Sequence, residues 1–95
     1  MYTVKYTPKA LADLQSIANY IALDNPKRAI SFIDELQLKT NSFLVNAPNG
    51  GSPYKNKTRY FPVGNYVVLY EVNDERKYVD VLHIVSARTD WRRSD

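Results

Sequence analysis

The stretch that most constrains this chain is Tyr78–Trp91, YVDVLHIVSARTDW, a β-branched apolar run that stops abruptly at Ser86, Ala87, Arg88, Thr89, Asp90 and Trp91. It reads as a central strand with a polar, cationic exit. On a two-residue repeat, Val79, Val81, His83 and Val85 face one way and Asp80, Leu82, Ile84 and Ser86 the other. Neither set is wholly polar. A strand that is apolar on both sides needs cover on both, and the remainder of the chain must supply it.

Part of that cover is legible upstream. Tyr2–Tyr6 alternates weakly and is rich in aromatic and β-branched residues, which predicts a short first strand. Thr7-Pro8 ends it with an N-cap followed by a proline whose missing N–H costs nothing at the first helical position. Leu11, Leu14, Ile17, Ala18 and Ile21 then recur at helical spacing as far as Leu23. Asp24-Asn25-Pro26 repeats the cap-and-proline arrangement and opens a second helix running to about Val45. Its stripe is Ala29, Ile33, Leu36, Thr40 and Phe43, widened by Ile30, Phe32 and Leu44, so this helix should be the more deeply packed.

The segment Asn46–Pro53 holds two of the three glycines and two of the five prolines and reads as a loop. The period then becomes extended. Thr58–Phe61 is a short strand, Pro62–Asn65 a turn, Tyr66–Val72 a strand, Asn73–Lys77 a charged hairpin loop, and Tyr78–Ala87 the last strand. The expected fold is α+β in one domain over residues 1–95: two layers, an N-terminal strand, a helical hairpin and a three-stranded antiparallel meander, in the order β-α-α-β-β-β. An outgoing strand, two helices and a returning strand would make the first and last strands antiparallel neighbours. Two helices blanket one face of such a sheet, so the set Tyr66, Val68, Tyr70 and Val72 is expected to be left as an uncovered apolar surface, the usual mark of a partner site.

Composition bounds the chemistry. A chain of 95 residues with 44% hydrophobic and 24% charged content supports one ordinary core, and the absence of cysteine excludes disulfides and thiolate catalysis. With no signal-like apolar segment, a cytoplasmic protein is expected. The net charge of +3 says less than its distribution, for no acidic residue lies between Leu36 and Tyr70 while Lys39, Lys55, Lys57 and Arg59 do. A metal site is disfavoured because His83 is the only histidine, and a Ser86–His83 pair because three residues along a strand face opposite ways. No phosphate-cradling glycine loop is present, and no cofactor is implied. What remains is a cationic and aromatic surface: Arg59, Tyr60 and Arg88 could stabilise a phosphate, with His83 as general acid or base.

The segments TPKALADLQSIANYIALDNPKRAISFIDEL, Pro48–Pro53, YVVLYEV and VLHIVSARTDW together resemble the ParE branch of the ParE/RelE toxin superfamily of bacterial type II toxin–antitoxin pairs, over essentially the whole chain. The helical-pair signature at Ala10–Ile21 and the Asn25-Pro26 junction look more like ParE than RelE. The resemblance implies a two-layer fold and a cognate antitoxin, ParD-like or another small protein, whose C-terminal segment wraps the toxin in a hetero-oligomer. It implies inhibition of DNA gyrase, in the setting of plasmid stabilisation. The alternative is RelE-like, ribosome-dependent cleavage of mRNA, or a non-toxic relative of either. On this reading Arg88, Trp91 and Arg92 contact the target, and Tyr66, Val68, Tyr70, Leu82 and Ile84 contact the antitoxin. A nuclease would instead use Arg59, Arg88 and His83. Two departures from the family pattern stand out: Ser86-Ala87 replaces the histidine-glycine pair many relatives carry before the arginine, and only Arg92 and Arg93 supply cations after Trp91.

Overall fold

A computed structural model of the chain describes residues 2–93, without the side chain of Arg93. The elements are β1 (Thr3–Tyr6), α1 (Pro8–Ala22), α2 (Pro26–Asn46), β2 (Ser52–Pro53), β3 (Thr58–Val63), β4 (Tyr66–Asn73), β5 (Tyr78–Ser86) and a single 3-10 turn, Trp91–Arg93. Both helices start as the sequence demands. The Thr7 hydroxyl accepts the Ala10 N–H at 3.1 Å and the Asn25 side chain accepts the Arg28 N–H at 3.1 Å, each followed by proline at the first helical position.

The sheet is mixed, with strand order β1-β5-β4-β3-β2, and β1 runs parallel to β5 with Thr3 opposite Tyr78 and Tyr6 opposite Val81. This corrects the antiparallel pairing expected from chain direction. The strand that returns after the helical hairpin is the two-residue β2, hidden inside the proline-glycine loop and antiparallel to β3. Its extra pass reverses every strand that follows, so β5 leaves the meander parallel to β1. β5 is an inner strand, as expected, paired with β1 on one side and β4 on the other.

A second correction concerns the turn before β4. Pro62 and Val63 continue β3 opposite Val67 and Tyr66, and the loop is only Gly64-Asn65, with Gly64 at φ +59°. A two-residue hairpin loop with glycine at its first position suits the strand twist. Pro62 is tolerated because β2 pairs only with Arg59 and Tyr60, which leaves no neighbouring strand to need the N–H that proline lacks.

The core lies between the helices and one sheet face: Ala10, Leu14, Ile17, Leu36 and Leu44 meet Phe61, Val63, Val68, Tyr70, Val79, Val81 and Ile84. Phe43 stacks on Phe61 at 4.1 Å between ring centres, and Phe61 meets Tyr70 edge-on at 5.6 Å. Helix α1, not α2, makes the broader contact with the sheet, lying along β5, while α2 touches β1 and β3. Accordingly Ile30 and Leu38 of α2 point outward, as does Leu11, which the helical spacing had placed in the α1 stripe.

Candidate functional site

The second half of β5 departs from simple alternation. Leu69 pairs with His83 and Tyr70 with Val81, so Leu82 is an extra residue, a β-bulge. Before it, Val79 and Val81 face the core. After it the parity is inverted, and Ile84 faces the core opposite Val68 while His83 and Val85 lie opposite Leu69 and Val67. The bulge therefore sorts the run that looked apolar on both sides into a buried set, Val79, Val81 and Ile84, and an open set containing Leu82, His83 and Val85.

The open set forms the floor of a groove of about 550 Å³, together with Leu69 and Glu71 of β4 and Thr58 of β3. Its walls are the Tyr54–Asn56 loop on one side and Thr89, Asp90 and Trp91 on the other. Trp91 is held by two tyrosines, with ring centres 5.5 Å from Tyr54 and 4.9 Å from Tyr60. The Tyr54 hydroxyl donates to the backbone carbonyl of Arg92 at 3.2 Å and lies 3.4 Å from that of Trp91. The Arg92 guanidinium sits 5.1 Å from the Tyr60 ring and 4.9 Å from that of Trp91, and donates to the Tyr60 hydroxyl at 2.7 Å. Trp91 and Arg92 are thus packed as an aromatic and cationic cluster onto the open face.

The loop that carries Tyr54 is fastened at its root. Arg59 donates to the Gly51 carbonyl at 2.7 Å, and the Gly51 N–H donates to the Tyr70 hydroxyl at 3.0 Å. Burial pushes the Tyr70 phenol above its ordinary pKa, while the Gly51 hydrogen bond and the Arg59 charge pull it partly back. The contact is tight enough that a Cβ on Gly51 would fall 2.3 Å from the Tyr70 hydroxyl and 2.7 Å from the Tyr60 carbonyl.

On the other side of the groove, β5 outruns β1 at Val81, and α1 finishes the exposed strand edge. The Thr7 hydroxyl donates to the Leu82 carbonyl at 3.2 Å, and Asp13 accepts the Ile84 N–H at 3.0 Å. The same carboxylate receives Lys9 at 2.8 Å and lies 3.5 Å from His83 Nδ1. His83 is thereby turned toward α1.

The residues singled out from sequence divide accordingly. Trp91 and Arg92 share one cluster, and Arg88 is exposed in the turn that precedes it, its backbone N–H bonded to the Ser86 hydroxyl at 3.2 Å. The three nuclease candidates are not brought together. His83 lines the groove, Arg59 is tied to Gly51 and lines a separate polar hollow with Lys57 and Asp80, and Arg88 is not among the lining residues of either. The uncovered surface expected at Tyr66, Val68, Tyr70 and Val72 lies beneath the helices instead: Val68 and Tyr70 are fully buried, Ile84 nearly so, and Tyr66 packs on Phe32 at 5.6 Å. Of that partner set only Leu82 reaches the open face. Composition had missed Tyr54, Gly51 and Asp13. Tyr54 carried the one available signal, an aromatic residue placed directly after a proline-glycine loop.

Among the described residues no cluster of histidine, cysteine or carboxylates could hold a metal ion, and no helix is long and apolar enough to cross a membrane. Comparison with curated proteins finds no match. Among solved structures the chain is similar to a chromosomal ParDE toxin–antitoxin system from P. aeruginosa, with TM-score 0.73, 23% identity, and 90% of this chain and 96% of that one covered. It is similar also to the RelBE2 complex of Mycobacterium tuberculosis, with TM-score 0.61 and 24% identity over 90% and 96% of the two chains. The intact E. coli RelBE complex aligns with TM-score 0.66 and 15% identity over 94% and 100%. At these identities the structures establish the shared fold. The sequence carries the family, because residues 4–91 match the model of the ParE toxin of the type II toxin–antitoxin system parDE, and the chain belongs to the ParE toxin family.

Proposed function

We propose that this toxin acts by binding, with DNA gyrase as its target, and that a cognate antitoxin neutralises it. The observation that carries the binding reading is the dispersal of the nuclease candidates. Metal-free RNA cleavage needs an acid or base within hydrogen-bond reach of the reacting hydroxyl and a cation aimed at the same phosphate. His83 Nδ1 instead lies 3.5 Å from the Asp13 carboxylate on α1, and Arg59 is spent on a loop carbonyl. Family membership supports gyrase as the target, and the surface available for it is the Trp91 end of the groove, with Arg92 packed on Trp91 and Arg88 exposed in the preceding turn.

The antitoxin would use apolar surface on the outer side of the helical hairpin. Ile30 is 71% exposed there, on a shallow hollow lined also by Ala18, Ala22, Ala29 and Ile33, and Tyr20 and Leu23 at the end of α1 are exposed as well, at 72% and 81%. An exposed isoleucine on an apolar hollow between two helices suits an amphipathic partner helix. That the similar solved structures include toxin–antitoxin complexes supports such a partner.

The test is a supercoiling assay with purified toxin. Gyrase should lose supercoiling and accumulate cleaved DNA, and addition of the antitoxin should restore activity. Trp91→Ala is expected to weaken inhibition at least about tenfold, as loss of a central aromatic anchor does. Full supercoiling at saturating toxin, together with cleavage of translated mRNA, would overturn the proposal in favour of the nuclease. Ile30→Glu should leave gyrase inhibition intact while weakening antitoxin rescue.

A further inference from the structure

We propose that Arg59 and Tyr70 are positioning residues, which set the placement of Trp91 and Arg92 from a distance through the loop that begins at Gly51. The inference rests on the reading that the Trp91 end of the groove engages the target, and it assigns to Arg59 a role other than catalysis.

The chain of contacts is continuous. Tyr70 is fully buried under the helices, so its hydroxyl is a fixed point, and it accepts the Gly51 N–H at 3.0 Å. Arg59, on the neighbouring strand opposite Tyr70, takes the carbonyl of the same glycine at 2.7 Å. Both polar groups of one peptide position are thereby clamped, and the glycine has no room for a side chain. Directly after it, β2 pairs Ser52 with Tyr60 and Pro53 with Arg59, and the next residue, Tyr54, is closed into a turn by its N–H bonding to the Thr58 carbonyl at 2.9 Å. Tyr54 then meets Trp91 and holds the Arg92 carbonyl.

A two-residue edge strand has only a short ladder, so the Gly51 clamp is a main fastening of the segment that leads into Tyr54. A charged donor on a part-buried carbonyl is worth more than a neutral one, which is why the arginine matters as well as the tyrosine. On this reading Arg59 affects target engagement while standing apart from His83 and Arg88.

Trp91 is the only tryptophan in the chain, so its fluorescence reports this cluster alone. Arg59→Ala and Tyr70→Phe should each shift its emission to the red and raise its acrylamide quenching constant about twofold, by letting the loop open locally. Cooperative thermal unfolding should persist in both. Arg59→Lys, which keeps a cationic donor, should bring both values most of the way back. If Arg59→Ala fails to fold, Tyr70→Phe, which removes only the hydroxyl, carries the same test. Folded variants with wild-type emission and quenching would overturn the proposal. The same proteins are then assayed on gyrase. Inhibition that falls as quenching rises supports the positioning role in target engagement. A displaced Trp91 with undiminished inhibition supports the positioning contact and overturns the assignment of the Trp91 end as the target surface.

Discussion

The two faces of the sheet are built by different means. The helix-covered face is fixed by volume: Val68, Tyr70, Val79 and Val81 have no exposed surface and interlock with Leu36 and Leu44. The open face has no helix over it, yet Val67 and Leu69 are only 5% and 7% exposed. Around the groove that Leu69 floors, the Tyr54–Asn56 loop and the Trp91 turn stand over the sheet, joined by ring contacts and a few hydrogen bonds. One layer is a cooperative core and the other a thin lining fastened at a few points. Stability should therefore concentrate on the first, and adjustable recognition on the second.

The sharpest way to break that contrast is to compare equivalent truncations. Tyr70→Ala, on the covered face, should cost about 3–5 kcal/mol in urea unfolding, a large part of what a domain of this size has. Leu82→Ala, at the bulge on the open side, should cost about 1 kcal/mol or less. Equal losses would mean that the open face is as integral to the core as the helices. Gly51→Ala lies at the seam between the two layers. Its Cβ would meet the Tyr70 hydroxyl at 2.3 Å and a backbone carbonyl at 2.7 Å, and the expected loss is about 2–3 kcal/mol, because the carbonyl cannot swing away as a side chain could.

Much of the covered face could be read from sequence because its determinants are periodic. The cap-proline pairs at Thr7-Pro8 and Asn25-Pro26 mark the helices almost to the residue, and Leu14, Ile17, Leu36 and Leu44 follow from the 3.6-residue repeat. Two short local events escaped. The β2 pass is too short to have a period, yet it reverses the direction of the sheet, and the bulge at Leu82 inverts parity within an otherwise regular strand. Each is a matter of register, decided by tertiary pairing and not by residue type. The bulge is why Ile84 was grouped with Leu82 and not with Val79 and Val81, and the short pass is why Tyr54 was passed over. Val68 and Tyr70 were put on the open surface because both faces of β4 are apolar and alternation alone does not say which one the helices cover. Trp91 and Arg92 were singled out because they stand at the exit of the last strand, a choice that needed no knowledge of what holds them.

Alkaline pH probes the covered layer from its margin. Burial pushes the Tyr6 phenol up to about 12, and its hydroxyl donates to the Asn41 side chain at 2.7 Å. The folded state thus holds its proton where the unfolded chain has released it. The stabilisation is complete below about pH 10, the unfolded value, and is lost as pH rises toward 12. The expected decline is about 2 kcal/mol at most, seen as a falling denaturation midpoint, and Tyr6→Phe should flatten it. A decline unchanged in Tyr6→Phe would assign the effect to other groups.

The smallest effects belong to the boundary where α1 closes the free edge of β5. Asp13 there accepts the Ile84 N–H at 3.0 Å and also pairs with Lys9 at 2.8 Å, so the two contributions can be separated. The strand N–H stands beyond the end of β1 with no neighbouring strand to receive it, and Asp13→Ala should cost about 1–2 kcal/mol by leaving it unpaired. Asp13→Asn keeps a carbonyl oxygen as acceptor and should recover most of that loss. Lys9→Ala removes only an exposed pair four residues apart on a helix, and its effect should not exceed about 0.5 kcal/mol, shrinking further in high salt. A loss in Lys9→Ala as large as that in Asp13→Ala would show that charge, and not the strand edge, sets the junction between the two layers. The bulge would then owe its place to an ion pair on the helix surface, and Leu82 and His83 should move when salt is raised.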